Sequence, residues 1–91
     1  MKVLVVNAGS SSVKCSLVET DSARTISNSV VERIGIPGTR LEAVAADGRR
    51  EKRECPQATS AGSALEEIAR ALTSGPAAVI GDLGEIEAVG H

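Results

Sequence analysis

The sequence contains no phenylalanine, tryptophan or tyrosine among its 91 residues. Aromatic side chains usually contribute the largest areas to a small core, so valine, isoleucine, leucine and alanine must fill this one. A domain of this length buries only about 60–65% of the surface that its unfolded chain exposes. We therefore expect a small core that is incompletely closed, in a chain whose last segment, residues 86–91, resembles the start of a strand.

A cationic excess and a long apolar run are also missing. The formal net charge is −2 and the pI is about 5.3, which excludes the clustered lysine and arginine footprint of nucleic-acid binding. No stretch approaches the ~20 apolar residues that span a bilayer, and the first two residues lead into a strand without a signal-like cleavage site. These absences predict a cytoplasmic protein that binds neither nucleic acid nor membrane.

Cysteine and histidine are scarce. Cys15 and Cys55 lie far apart in sequence and have no histidine or cysteine partner at metal-ligand spacing. A small buried thiol is therefore the expected role of Cys15. The single histidine, His91, cannot easily supply a catalytic triad, and we expect it to be structural.

The first third of the chain predicts an antiparallel meander. Residues 2–8 are apolar on both strand faces, which is typical of a central strand covered on both sides. Residues 13–19 place Val13, Cys15 and Leu17 on one face, and the short connection makes the two strands antiparallel. Residues 25–34 hold enough β-branched side chains for a third strand.

A further hairpin is predicted around Asp47-Gly48, a dipeptide that favours a type I′ turn. Its arms are residues 40–46 and residues 49–55. The second arm mixes charges of both signs, so we expect a solvated edge strand, with a partner-binding patch as the alternative.

The hydrophobic period becomes helical over residues 60–73. Ser63 and Glu66 have the spacing of a capping box, although Thr59 or Ser60 could equally cap the helix. Residues 77–80 are a short apolar segment, and residues 81–84 a turn before the last strand. The helix packs an apolar stripe on the sheet and exposes Glu66, Glu67 and Arg70; the stripe is Ala61, Ala64, Leu65, Ile68, Ala71 and Leu72.

The connection between the first two strands is rich in groups that bind phosphate. Gly-Ser-Ser-Ser, residues 9–12, lets backbone N–H groups approach an anion and adds three hydroxyls. Asn7 offers an amide that can reach a phosphate oxygen or a water on bound Mg²⁺, and Lys14 brings positive charge. The alternative is a plain hairpin turn in which Asn7 is a cap and Lys14 faces water.

Two common catalytic motifs do not fit this stretch. A Walker-type P-loop needs a second glycine, a Ser or Thr after Lys14 and a following helix, whereas Cys15 and a strand follow. A serine-hydrolase elbow needs glycine where Val13 stands.

Residues 5–14, Val-Val-Asn-Ala-Gly-Ser-Ser-Ser-Val-Lys, closely resemble the amino-terminal signature of the acetokinase family of short-chain carboxylate kinases. Residues 31–35 and residues 85–91 are similar to further family stretches in the same order. The resemblance implies a mixed α/β, actin-like (RNase H-like) fold with a mostly antiparallel sheet and one main helix. Residues 1–91 would then form one partial domain, the front of the first actin-like domain.

The resemblance also implies function. Members transfer the γ-phosphoryl group of ATP to acetate with Mg²⁺ or Mn²⁺, giving acetyl phosphate and ADP, and usually act as homodimers. Asn7 matches the magnesium-site asparagine and Lys14 an ATP-binding position, while Gly9, Ser10 and Ser12 match the phosphate loop. The resemblance places no catalytic residue within this chain, so we expect these 91 residues alone to be inactive.

Two rival functions stay open from the sequence. One is a related propionate or butyrate kinase. The other is a small, non-catalytic nucleotide-binding or interaction module. An exposed sheet edge would also favour self-association of the chain.

Overall fold

A computed structural model describes residues 1–90, which form one six-stranded sheet, one α-helix and a short 3₁₀ helix. The sheet order is β5-β4-β3-β2-β1-β6; within the described chain β1 and β6 are parallel and the other neighbours antiparallel. This confirms the predicted fold class. The elements are β1 (Lys2–Ala8), β2 (Ser12–Glu19), β3 (Arg24–Glu32), β4 (Arg40–Ala45), β5 (Arg50–Glu54), α1 (Ala61–Ser74), the 3₁₀ helix (Leu83–Glu85) and β6 (Ile86–Gly90).

Packing of α1 against one face of the sheet forms the core. Leu17, Leu41, Ile68 and Leu72 are each at most 2% exposed, and small side chains fill the space between them. We call the opposite side of the sheet the open face. Since side chains alternate along a strand, every residue next to a buried one lies on the open face.

β1 is not the central strand that its apolar pattern predicts. It lies between β2 and β6, one strand from the edge. Val6 packs in the core with 5% exposure, whereas Val5 on the open face is 41% exposed. The prediction of cover on both sides is therefore wrong for the described residues, because α1 covers only one face.

β2 and β3 follow the predicted meander. Val13, Cys15 and Leu17 are all buried on the helix side, as their spacing predicts. β3 ends at Glu32, two residues before the predicted end. The reason is Arg33, whose positive φ of 60° turns the backbone out of the strand.

The hairpin of β4 and β5 forms where predicted, but its turn differs. Gly48 has a φ of +92°, whereas Asp47 is not among the residues with positive φ, so a type I′ turn is excluded. The Gly48 amide donates to the Ala45 carbonyl at 2.9 Å, and the Ala45 amide donates to the Arg49 carbonyl at 2.8 Å. This three-residue loop needs only one left-handed residue, which glycine supplies.

Ser60 is the cap of α1, one of the three predicted candidates. Its Oγ accepts from the Ser63 amide at 3.2 Å, and the Ser63 hydroxyl accepts from the Ser60 amide at 3.0 Å. The pairing that closes the box is thus Ser60 with Ser63, rather than Ser63 with Glu66.

Glu67 departs most clearly from its predicted place on the polar side of α1, since it is only 3% exposed. Its Oε1 accepts from Arg53 Nη1 of β5 at 2.7 Å. Arg53 Nε also donates to Glu51 Oε2 at 2.7 Å, and the Glu51 carboxylate lies where a Cβ on Gly75 would stand. Glu51 and Arg53 therefore face the helix, and the strand predicted to be solvated is solvated on one side only.

The last described strand joins the sheet beside β1. It begins at Ile86, after the 3₁₀ helix, and Asp82 caps that turn by accepting from the Gly84 amide at 2.6 Å. The two sheet edges differ, because β5 is charged throughout whereas β6 carries one charge and exposes 59% of Val89. The predicted role of His91 lies outside the described residues.

The burial of Glu67 makes stability depend on pH. Burial acts to raise the pKa of its carboxyl, but hydrogen bonds from Arg53 and Gln57 outweigh this and hold the pKa below the ordinary 4.5. A group with a lowered folded-state pKa contributes its full stability above the unfolded pKa and loses it as pH falls through the folded value.

Replacement of Glu67 by glutamine should lower the free energy of unfolding at pH 7 by about 1–3 kcal/mol, because Arg53 is left with a neutral partner. We place the effect below that of a fully buried pair because the Arg53 side chain is 30% exposed. Urea unfolding at pH 7 and pH 3 measures it, with Glu66→Gln on the exposed side of the same turn as the control. Equal stability of the two variants at pH 7 would contradict the account, as would a difference from wild type that fails to shrink at pH 3.

Candidate phosphate-binding loop

The Gly-Ser-Ser-Ser loop between β1 and β2, residues 9–12, lies at the carboxyl end of β1, and its last residue, Ser12, is also the first residue of β2. β6 runs parallel to β1, with Val5 opposite Gly90, so both strands end on this side of the sheet. Ligands of α/β sheets bind outside the carboxyl ends of parallel strands. A strand follows the loop, as predicted, so the helix N-terminus of a Walker-type site is not formed here.

The loop is short and tightly closed. The Gly9 amide donates to the Ser12 carbonyl at 2.8 Å, and a Cβ on Gly9 would lie 3.2 Å from Ser12 Oγ. Glycine is therefore favoured here by the close approach of the Ser12 side chain, since Gly9 does not have a positive φ. One further hydrogen bond, from the Ile34 amide to the Ser11 carbonyl at 2.9 Å, ties the loop to the segment after β3.

The predicted binding groups are accessible. Asn7, Gly9, Ser10 and Lys14 are exposed, and Ser12 is half-buried. Within residues 1–90, the side chains of Asn7, Ser10, Ser12 and Lys14 make no hydrogen bond or ion pair with the protein. Their donors are thus available to a ligand.

Asn7 and Lys14 are direct partners across the antiparallel pair of β1 and β2. Val6 and Val13 beside them point into the core, so Asn7 and Lys14 share the open face. Residues opposite each other in such a pair have Cβ atoms about 4.5–5.5 Å apart. An amide and an ammonium group are therefore presented side by side at the base of the loop.

The surroundings leave the positive charge of Lys14 available. Its partner on β3 is the uncharged Val30. Glu32 lies across from Ser12, but its Oε2 is 3.8 Å from Arg40 Nη2, which offsets its charge. Positive charge beside free hydroxyl and amide groups suits an anion such as a phosphate.

The side chains around the loop suit a metal ion that is already bound to phosphates. They do not form a separate metal centre made of protein ligands. Across residues 1–90, no three histidine, cysteine or acidic side chains lie together as a metal site. Asn7 contributes one neutral oxygen, a ligand type that Mg²⁺ accepts when phosphates and waters complete its shell. The residues present therefore fit one side of a metal–nucleotide complex.

Cys15 lies in the core on the strand that leaves the loop. It is 4% exposed, and burial raises the pKa of its thiol to about 11. Cys55 is fully buried. The prediction of a small buried thiol is confirmed for Cys15 by its low exposure.

The sequence does not predict that Ile34 holds the loop, because a hydrogen bond from a backbone amide does not depend on the residue type. The glycines and proline of residues 35–38 are a signal for a structured turn next to the loop. No helix in the described part of the chain is both long and apolar enough to cross a membrane.

Comparison with known proteins shows where the chain belongs. The family model described as the acetokinase family matches residues 2–91. The chain is 42% identical to an acetate kinase of Methanosarcina thermophila, covering 100% of this chain and 22% of that protein. Among solved structures, it superposes on a Porphyromonas gingivalis acetate kinase with a TM-score of 0.85 and 35% identity, covering 99% of this chain and 22% of the other.

A propionate kinase from Francisella tularensis shares the fold with a TM-score of 0.79 and 23% identity, covering 99% of this chain and 21% of its own. The chain thus spans about a fifth of the length of these relatives. The family match and the two structural likenesses agree with the fold class predicted from the resemblance. The chain belongs to the acetokinase family.

Proposed function

We propose that residues 1–91 form the amino-terminal part of the first domain of a kinase that transfers the γ-phosphoryl group of ATP to acetate. The products are acetyl phosphate and ADP, and the reaction is reversible. The observation that carries the proposal is the Asn7–Lys14 pair beneath an accessible loop, at the carboxyl ends of two parallel strands. This chain's share of the reaction is to bind and orient phosphate.

Each loop residue has a role that follows from its chemistry. The backbone around Gly9 comes close to the phosphate because no side chain intervenes, and Ser10 and Ser12 donate hydroxyl hydrogen bonds. Lys14 offsets negative charge on the phosphate oxygens. Phosphoryl transfer depends mainly on positioning and charge neutralisation, so these contacts are the kind that such a reaction needs.

Asn7 is the proposed contact to the divalent metal, Mg²⁺ or Mn²⁺, through its amide oxygen or a bound water. When bound, the metal supplies charge neutralisation at the phosphates. The amide remains neutral at all physiological pH values. It therefore repels neither the negatively charged phosphates nor the positively charged Lys14 across the strand pair.

The proposal also covers the carboxylate that accepts the phosphoryl group, the cellular compartment and the oligomeric state. The relatives reported above are acetate kinases, and the propionate kinase that shares the fold makes a longer carboxylate the second candidate. Competition between acetate, propionate and butyrate in the complete enzyme separates these substrates. We place the enzyme in the cytoplasm, where ATP is abundant and the free thiols of Cys15 and Cys55 stay reduced, and propose a homodimer.

Replacement of Lys14 by alanine should weaken binding of Mg·ATP by the 91-residue chain about three- to tenfold, the cost of one exposed charge-assisted contact. Titration of the ¹⁵N-labelled chain measures this from amide shifts of residues 9–14. Lys52→Ala is the matched control, because Lys52 is exposed on the same open face but is paired with Glu42 at 3.2 Å. An equal loss in both variants, or shifts centred on β5, would contradict the proposal.

Replacement of Asn7 by alanine should affect binding only when the metal is present. We expect the affinity for Mg·ATP to fall about threefold and the affinity for ATP in EDTA to stay unchanged, since the lost group is a neutral metal contact. The same titration with and without Mg²⁺ makes the comparison. A loss of the same size in both conditions would instead assign Asn7 to the phosphates themselves.

A further inference from the structure

The segment after β3, residues 33–39, contacts the phosphate-binding loop through its own backbone. The Ile34 amide donates to the Ser11 carbonyl at 2.9 Å. This hydrogen bond adds to the bond between Gly9 and Ser12 and to the pairing of Ser12 with Glu32 in the sheet. We call residues 33–39 the bracing segment.

The bracing segment has an unusual backbone at its first residue. Arg33 has a φ of 60°, a left-handed conformation that costs a non-glycine residue roughly 1 kcal/mol or more. Its side chain is held as well, since Nε donates to the Pro37 carbonyl at 2.8 Å. Gly38 lies against this side chain, because a Cβ there would come within 3.1 Å of the Arg33 Nε.

Thr39 closes the bracing segment from its far end. It is 5% exposed, and its hydroxyl donates to the Arg33 carbonyl at 2.8 Å and lies 3.1 Å from the Ile36 carbonyl. The Thr39 carbonyl in turn accepts from the Cys55 amide at 3.0 Å. The buried Thr39 hydroxyl therefore holds Arg33 in its left-handed conformation, and the Thr39 carbonyl connects this segment to the residue that follows β5.

The position of Ile34 depends on that conformation. Ile34 is half-buried and packs against the core, and its amide follows directly from the Arg33 peptide that Thr39 holds. If Arg33 relaxed to an extended conformation, the Ile34 amide would turn away from Ser11. The bracing segment is thus connected to the phosphate-binding loop by a single, orientation-dependent hydrogen bond.

We propose that Thr39 is a positioning residue for phosphate binding, acting through Arg33 and the Ile34–Ser11 hydrogen bond without touching the ligand. The inference rests on the proposed function, because it assigns a purpose to the rigid placement of residues 9–12. The hydrogen bonds of Thr39 and Ile34 hold Arg33 in its strained conformation and keep the loop ordered before the ligand binds, so the ordering entropy is not lost at binding.

The test compares Thr39→Val, which keeps the shape and removes the hydroxyl, with Thr39→Ser, which keeps the hydroxyl. Hydrogen exchange read by NMR should show the Ile34 amide exchanging roughly three- to tenfold faster in Thr39→Val, while the amides of α1 keep their protection. Mg·ATP affinity of the 91-residue chain should fall by a similar factor. Thr39→Ser should restore both values to within about twofold of wild type.

A merely structural role would raise exchange at Ile34 and in α1 together, and that outcome would overturn the proposal. Unchanged Ile34 exchange in Thr39→Val would also overturn it. If that variant does not fold, Arg33→Val at the exposed neighbouring position tests the same connection, because a β-branched residue disfavours the left-handed conformation more strongly, and faster Ile34 exchange and weaker binding are expected. Should wild type fail to bind Mg·ATP, the proposed phosphate-binding role of this chain fails, yet the Ile34 exchange still decides whether Thr39 braces the loop.

Discussion

The packing of α1 on one face of the sheet is the contact on which the other features depend. A core without aromatic rings has to be closed by many small aliphatic contacts, and Leu17, Leu41, Ile68 and Leu72 provide its centre. Because strand side chains alternate, burying one set fixes the opposite set on the open face. A shift of one residue in β1 or β2 would bury the proposed binding groups, Asn7 and Lys14, and expose the core.

The binding groups occupy their positions as a direct consequence. Val6 and Val13 point to the helix, so Asn7 and Lys14 point away from it, next to each other at the end of the strand pair. The register of β1 and β2 thus determines both the buried hydrophobic residues and the position of Asn7 and Lys14. Cys15, on the strand that leaves the loop, is part of the buried packing.

Much of this arrangement could be predicted from residue type. Alternation predicts β2 with its buried face, and the period of 3.6 predicts α1, because both follow from local geometry. Glu67 could not be predicted as buried, since its place depends on Arg53, which is distant in sequence. The Asp47-Gly48 dipeptide predicts a type I′ turn, which needs two left-handed residues. The loop has three residues and needs only one, because loop length rather than the dipeptide decides the turn type.

The candidate site was likewise predictable only in part from the sequence. Residue type and family resemblance indicated Asn7, Gly9, Ser10, Ser12 and Lys14, and the structure brings Asn7 and Lys14 together across one strand pair. The brace behind the loop was invisible in the sequence, because its decisive contact joins two backbone groups. Positive φ at an arginine is likewise a property of the tertiary environment rather than of the residue.

We propose that nucleotide phosphates and their metal bind at the loop between β1 and β2. Paramagnetic Mn²⁺·ATP added to the ¹⁵N-labelled chain tests it most directly, because line broadening falls off steeply with distance from the metal. Binding at the loop predicts broadening that is strongest at the amides of residues 7–14 and decreases strand by strand towards β5. Broadening centred on the charged hairpin of β4 and β5, with the loop amides unaffected, would contradict it.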